Sequence, residues 1–201
     1  MTAETVDAKT LFARYQRGDR NALEELLARH RDRAYRFAYR LTRNHDDAED
    51  IAADAFVRAH RCIDSYKGNA AFSTWLCRIV LNCYLDARKK AKPDLFVSLD
   101  APAHDDQVAR LDHVPGNAMS PHTAAERAMG VKRLVSAMQQ LPDYQRAILL
   151  LYHVEMLTYE QIGEMLNLPL GTVKSRLNRA RVNLRDIIAE DLELLGTAYV
   201  A

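Results

Sequence analysis

What this chain has little of already narrows its function. Its 201 residues hold three cysteines, at 62, 77 and 83, which form no CxxC and have no histidine at metal-ligand spacing. An odd number of cysteines, behind a polar N-terminus rather than a signal peptide, predicts reduced thiols in a cytoplasmic protein and argues against a zinc site or a disulfide framework. No apolar run approaches the ~18 residues of a spanning helix, so no membrane insertion is expected. There is no glycine-rich phosphate loop, no HExxH and no nucleophile elbow, and the seven histidines are scattered; the chain is not read as an enzyme and no cofactor or metal is expected. His153, inside an apolar stretch, is read as a satisfied core residue. Alternating apolar and polar runs are also lacking, which excludes a sheet.

What is present is helical periodicity, from about residue 7 to 92 and again from about 124 to 195. This predicts an all-α chain of two small helical domains, 7–92 and 124–195. Between them, 93–123 carries Pro93, Pro102, Pro115 and Pro121 with five aspartates against Arg110 alone, the composition of a flexible acidic linker. Net charge is only +1, so nucleic-acid binding has to be argued from local distribution. That distribution is uneven: six arginines lie between Arg29 and Arg43 against Asp32. In the first domain, four helices are predicted near 9–17, 22–43, 46–65 and 73–92, with Gly18-Asp19 and Asn44-His45 at the first junctions.

The sharpest signal is a helix-turn-helix over 158–182. Thr158 and Gln161 have capping-box spacing with Leu157 and Ile162 at staple positions, so a helix starts at Thr158. Asn167-Leu168-Pro169 ends it, and the turn is expected to run to about Gly171. Val173, Leu177, Ala180, Leu184 and Ile188 then form one apolar stripe, which places Ser175, Asn178, Arg179 and Val182 opposite and Lys174, Arg176, Arg181 and Arg185 on the flanks. Five basic and no acidic side chains lie between Gly171 and Arg185. Arginine bonds guanine bidentately, asparagine does so to adenine, and flanking cations neutralise phosphates, so this helix can grip and read a major groove. A solvated basic helix would show the charge without the capped partner helix and segregated faces.

A second basic helix follows the loop 66–72. Leu76, Ile79, Val80, Cys83 and Ala87 are expected to face inward, with Arg78, Asn82, Leu85 and Lys89 on another side. Arg88, Lys89, Lys90 and Lys92 complement the helix dipole and need no ligand by themselves. Two basic helices in one chain suggest a nucleic acid held at two separated places.

In this order the motifs resemble the extracytoplasmic-function sigma factors of bacterial RNA polymerase. Asp47-Ala48-Glu49-Asp50-Ile51 with Ala55-Phe56 resembles the family's polymerase-binding helix, and Phe72-Ser73-Thr74-Trp75-Leu76 with Arg78, Ile79, Asn82 and Asp86 its -10 segment. Leu157 to Gly163 and Pro169 to Arg176 resemble its -35 reader, approached through Leu141-Pro142 and Tyr144-Gln145-Arg146. The resemblance implies core-polymerase contact by Asp47, Glu49, Asp50, Ile51, Asp54 and Phe56, with Ile51 and Phe56 as apolar contacts. Ala53-Asp54 departs from the Gln-Glu frequent there. It implies capture of a flipped -10 base by the loop Lys67, Gly68, Asn69 and Ala70, assisted by Arg78 and Asn82. Tyr66, Phe72 and Trp75 are either buried anchors, the favoured reading, or platforms on which bases stack. At the -35 element it implies base or near-base contact by Arg176, Asn178 and Arg179, and phosphate contact by Thr172, Lys174, Ser175 and Arg181. The expected partners are core RNA polymerase, promoter DNA and an anti-sigma factor, any signal arriving through another chain. The rival readings are a stand-alone helix-turn-helix regulator, which predicts a palindromic operator, and a protein that merely sequesters a partner.

Overall fold

A computed structural model describes residues 7–91 and 121–198, with side chains at 7–91 and 129–190. Among the described residues the secondary structure is helical throughout, and the chain divides into two compact units, Met1–Leu99 and Asp100–Ala201. Residues 93–120 of the expected linker lie outside the described residues, as does Lys92. The helix that follows begins at Pro121, whose fixed φ and missing N–H suit the first helical position.

The first unit contains α1 (Ala8–Gln16), α2 (Arg20–Thr42), α3 (His45–Cys62), a 3-10 turn (Ile63–Ser65) and α4 (Phe72–Ala91). The junctions are built by capping. The Asp19 carboxylate accepts from the Ala22 N–H to start α2. Arg43 turns left-handed at φ 56°, and the Asn44 side chain accepts from the Asp46 and Asp47 N–H groups at 2.8 and 3.1 Å to start α3. Each cap satisfies donors that a helix start leaves open. Helix α2 packs on α1, α3 and α4. Leu11, Leu26, Phe37, Leu41, Ile63, Leu76, Leu81 and Tyr84 are fully buried among them. The α3 face toward this core is Ala48, Ala52, Ala55 and Ala59, small residues that let its backbone come close to its neighbours. That close approach also buries Ile51 at 6% exposure.

The second unit contains α5 (Pro121–Gln140), α6 (Asp143–His153), α7 (Tyr159–Leu166) and α8 (Leu170–Ala198), with α8 packed on the other three. Val173, Leu177 and Ala180 are fully buried, as the apolar stripe requires, while Leu184 and Ile188 are half-buried. Arg146 closes the end of α5 from inside: its guanidinium donates to the carbonyls of Met138, Gln139 and Leu141 at 2.9, 2.9 and 3.0 Å. It is a buried charge made tolerable by these bonds and by Asp143 at 3.6 Å. Buried Gln145 accepts from the Asn183 amide at 2.9 Å and thereby pins α6 to α8.

Candidate nucleic-acid and polymerase interface

The second helix of the helix-turn-helix is positioned by a fully formed turn. The Thr158 hydroxyl accepts from the Gln161 N–H at 3.3 Å and the Gln161 side chain accepts from the Thr158 N–H at 2.9 Å, a reciprocal capping box. The box also holds the Glu160 carboxyl below its usual range, chiefly through its own backbone N–H and then the Thr158 hydroxyl. Leu157 and Ile162 are both buried as the staple demands. Asn167 ends α7 left-handed at φ 54°. The turn is shorter than expected: α8 begins at Leu170, so Gly171 lies inside the helix. The close fit of turn to helix rests on Gly163, where a Cβ would lie 2.9 Å from the Leu168 carbonyl oxygen.

On α8 the faces segregate. Lys174 and Arg179 are exposed, Val182 is exposed opposite the apolar stripe, and Thr172, Ser175, Arg176, Asn178 and Arg181 are half-buried on or beside that surface. Ser175 donates to the Thr172 carbonyl at 3.1 Å. Arg181 is held by neighbours that the sequence reading did not foresee: its guanidinium lies over the Tyr152 ring at 5.0 Å, and its Nε is 3.4 Å from His153 Nε2. Tyr152 in turn stacks on Tyr159 at 5.1 Å. His153 is therefore not a core residue. It is the exposed last residue of α6, and desolvation, then the nearby Arg181 charge, hold its pKa below the usual value.

In the first unit, Lys67, Gly68, Asn69 and Ala70 form an exposed loop. Gly68 takes φ 74°, a left-handed conformation that glycine adopts without strain. The loop is anchored at both ends by buried aromatics. Tyr66 and Phe72 are 7% and 2% exposed, their rings 5.4 Å apart, and half-buried Trp75 packs on both at 5.4 and 5.3 Å. The Tyr66 hydroxyl donates across the loop to the Ala70 carbonyl at 2.8 Å. Arg78 and Asn82 are exposed on α4, one turn apart. The buried face of α4 is broader than projected, taking in Cys77, Leu81 and Tyr84, while Ala87, expected inside, is exposed. Burial pushes the Cys83 thiol up, so it is a packing residue rather than a reactive one.

Along α3, Asp47, Glu49, Asp50 and Asp54 are exposed and Phe56 is half-buried. Ile51 corrects the expectation of an apolar contact, because the alanine-lined approach of α3 to the core covers it. The apolar surface offered beside these carboxylates is instead Phe56 with Val57, which is 51% exposed. These two line an open groove between α2 and α3 together with Leu27, Tyr35 and Glu49. Only the pairing of the two helices brings Tyr35 and Val57 together in this groove.

This arrangement is that of a sigma-70 type chain. Sigma-70 region 2 matches residues 26–93 and sigma-70 region 4 matches 132–184. The chain is 33% identical over 177 residues to the ECF RNA polymerase sigma factor SigW of Bacillus subtilis, covering 88% of this chain and 94% of that one. It is 30% identical over 186 residues to the ECF RNA polymerase sigma-E factor of Escherichia coli, covering 89% and 93%. Its fold resembles that of CnrH solved with the cytosolic domain of CnrY (TM-score 0.61, 24% identity, 92% of this chain and 99% of that chain). It also resembles the sigma factor RpoE solved with the anti-sigma factor NepR from Bartonella quintana (TM-score 0.58, 23% identity, 83% and 96%). The chain belongs to the extracytoplasmic-function RNA polymerase sigma factors. Membership sets aside the stand-alone regulator. Among the described residues no helix is long and apolar enough to cross a membrane.

Proposed function

We propose that this chain docks on core RNA polymerase through α3 and the α2–α3 groove and carries it to promoters read at two places. The observation behind this reading is the pairing, within one chain, of a capped helix-turn-helix with a segregated basic face and a separate basic helix beside an exposed, aromatic-anchored loop. In this reading, Asp47, Glu49, Asp50 and Asp54 pair basic groups of the polymerase, while Phe56 and Val57 supply the apolar contact. Asn69 on its loop meets the edge of a base flipped from the -10 element, with Lys67, Ala70, Arg78 and Asn82 alongside. Flipping costs a few kcal/mol, which hydrogen bonds to the captured base offset.

Region 4 then reads the -35 element through Arg176, Asn178 and Arg179, with Thr172, Lys174, Ser175 and Arg181 on phosphates. The Tyr152 and His153 contacts fix Arg181 in place before DNA arrives, which lowers the entropy lost on binding. The chain adds recognition rather than chemistry to the enzyme it joins, and it works where that enzyme works, in the cytoplasm. Restraint by an anti-sigma factor belongs to the same reading: the RpoE and CnrH structures were each solved with a second protein, NepR for one and the CnrY cytosolic domain for the other.

The test separates the two contacts. Asp50→Lys with Asp54→Lys should abolish copurification with core polymerase while the second unit keeps its DNA affinity. Asn69→Ala should leave copurification intact and relax discrimination at one -10 base. Unchanged copurification in the first variant removes α3 from the polymerase contact, and unchanged promoter preference in the second removes the loop from base capture.

A further inference from the structure

Helix α4 carries one acidic residue among its twenty, Asp86, against Arg78, Arg88, Lys89 and Lys90. Asp86 stands in line with the residues assigned to DNA: Arg78, Asn82, Asp86 and Lys90 follow at i, i+4, i+8 and i+12, a row that drifts slowly round one side of the helix. A bare carboxylate there would repel the phosphates that its neighbours attract. It is not bare. Arg58, reaching across from α3, places Nη1 2.7 Å from Asp86 Oδ2. The contact raises the already high Arg58 pKa, with the Asp86 hydrogen bond as the largest cause.

The pair does little for the fold. Its side chains are 44% and 52% exposed, and ion pairs in that setting contribute about 0 to 1 kcal/mol. Helices α3 and α4 pack on each other without it, and each buries apolar side chains, Ala55 and Ala59 on α3, Val80 and Cys83 on α4. We propose that Arg58 is a positioning residue for promoter binding: it neutralises Asp86 and holds it against α3, so that the Arg78–Asn82 edge of α4 meets DNA without an opposing charge. Arg58 thus serves the DNA face from the helix assigned to polymerase contact, one turn beyond Asp54. The inference rests on the reading that α4 faces promoter DNA.

Charge arithmetic makes it testable, because Arg58→Gln leaves an unpaired carboxylate whereas Arg58→Gln with Asp86→Asn restores the net charge of the native pair. Holoenzymes carrying each variant are titrated with a promoter fragment selected by the wild-type holoenzyme, across a potassium chloride series. Arg58→Gln should bind about five-fold more weakly with a log–log salt slope shallower by about 0.7, and the double variant should return to within about two-fold of wild type. Thermal midpoints of the free proteins should agree to about 2 °C, as expected for an exposed pair. A double variant as weak as Arg58→Gln, or Arg58→Gln equal to wild type, overturns the proposal. Arg78→Ala and Asn82→Ala are run alongside. If they weaken binding while Arg58→Gln does not, only the role of Arg58 fails; if they too change nothing, α4 does not face DNA and the underlying reading fails with it.

Discussion

The Tyr66 hydroxyl and the Ala70 carbonyl oxygen, 2.8 Å apart, bridge the loop that displays Lys67, Gly68 and Asn69. The loop is exposed, but this bond and the aromatic ring contacts of Tyr66, Phe72 and Trp75 anchor its ends. Tyr66→Phe keeps the packing and removes only the bridge. It should cost about 1 kcal/mol of stability and broaden -10 base preference by loosening the loop. Thermal unfolding and transcription from single-base promoter variants measure the two effects; intact discrimination would show that the bridge does not shape the loop for binding.

Arg146 is a second place where one side chain holds a junction. Replacing it with methionine keeps the volume but leaves the carbonyls of Met138, Gln139 and Leu141 without their donor. The loss should be about 2 to 4 kcal/mol, felt in the second unit alone, and urea unfolding of the full chain should then resolve two transitions. A single unshifted transition would contradict this role.

Gly163→Ala tests how tightly the helix-turn-helix closes. In an open helix alanine would gain up to about 1 kcal/mol. Here its Cβ would meet the Leu168 carbonyl oxygen at 2.9 Å, and relieving that overlap costs about 1 to 3 kcal/mol. The variant should therefore lower the denaturation midpoint of the second unit. A raised midpoint would mean that the turn has room to give.

The division of labour on α8 is tested by a pair of variants. Arg179→Ala should change sequence preference at the -35 element, since a bidentate base contact is worth about 1 to 3 kcal/mol of discrimination. Lys174→Ala should weaken all sequences alike and flatten the salt dependence. Identical behaviour of the two, measured by binding to a panel of -35 variants, would contradict the assignment.

Much of the fold was legible because its determinants are local. Thr158 with Gln161 and the end at Asn167 depend on residues a few positions apart, and the Val173, Leu177 and Ala180 stripe needs only helical spacing. The sequence misled where a neighbouring helix decides the outcome. Ile51 lies at the edge of an alanine face, and only the close approach that those alanines permit buries it. His153 is apolar in context but sits exposed at the last turn of α6, and Ala87 continues the apolar phase of α4 yet is exposed. The Arg58–Asp86 and Arg181–Tyr152 contacts join residues 28 or more positions apart, which no periodicity reveals. The site was readable as a set of candidate residues; their anchoring was not.

As a sigma factor, this chain tells RNA polymerase where to begin. The decisive experiment is run-off transcription by core polymerase, with and without the chain, on a pool of randomised promoters. Discrete starts that depend on the chain are expected, upstream of which two unlike sequence elements emerge at fixed spacing. Starts no different from those of core polymerase alone, or enrichment of one palindromic element, would contradict that role.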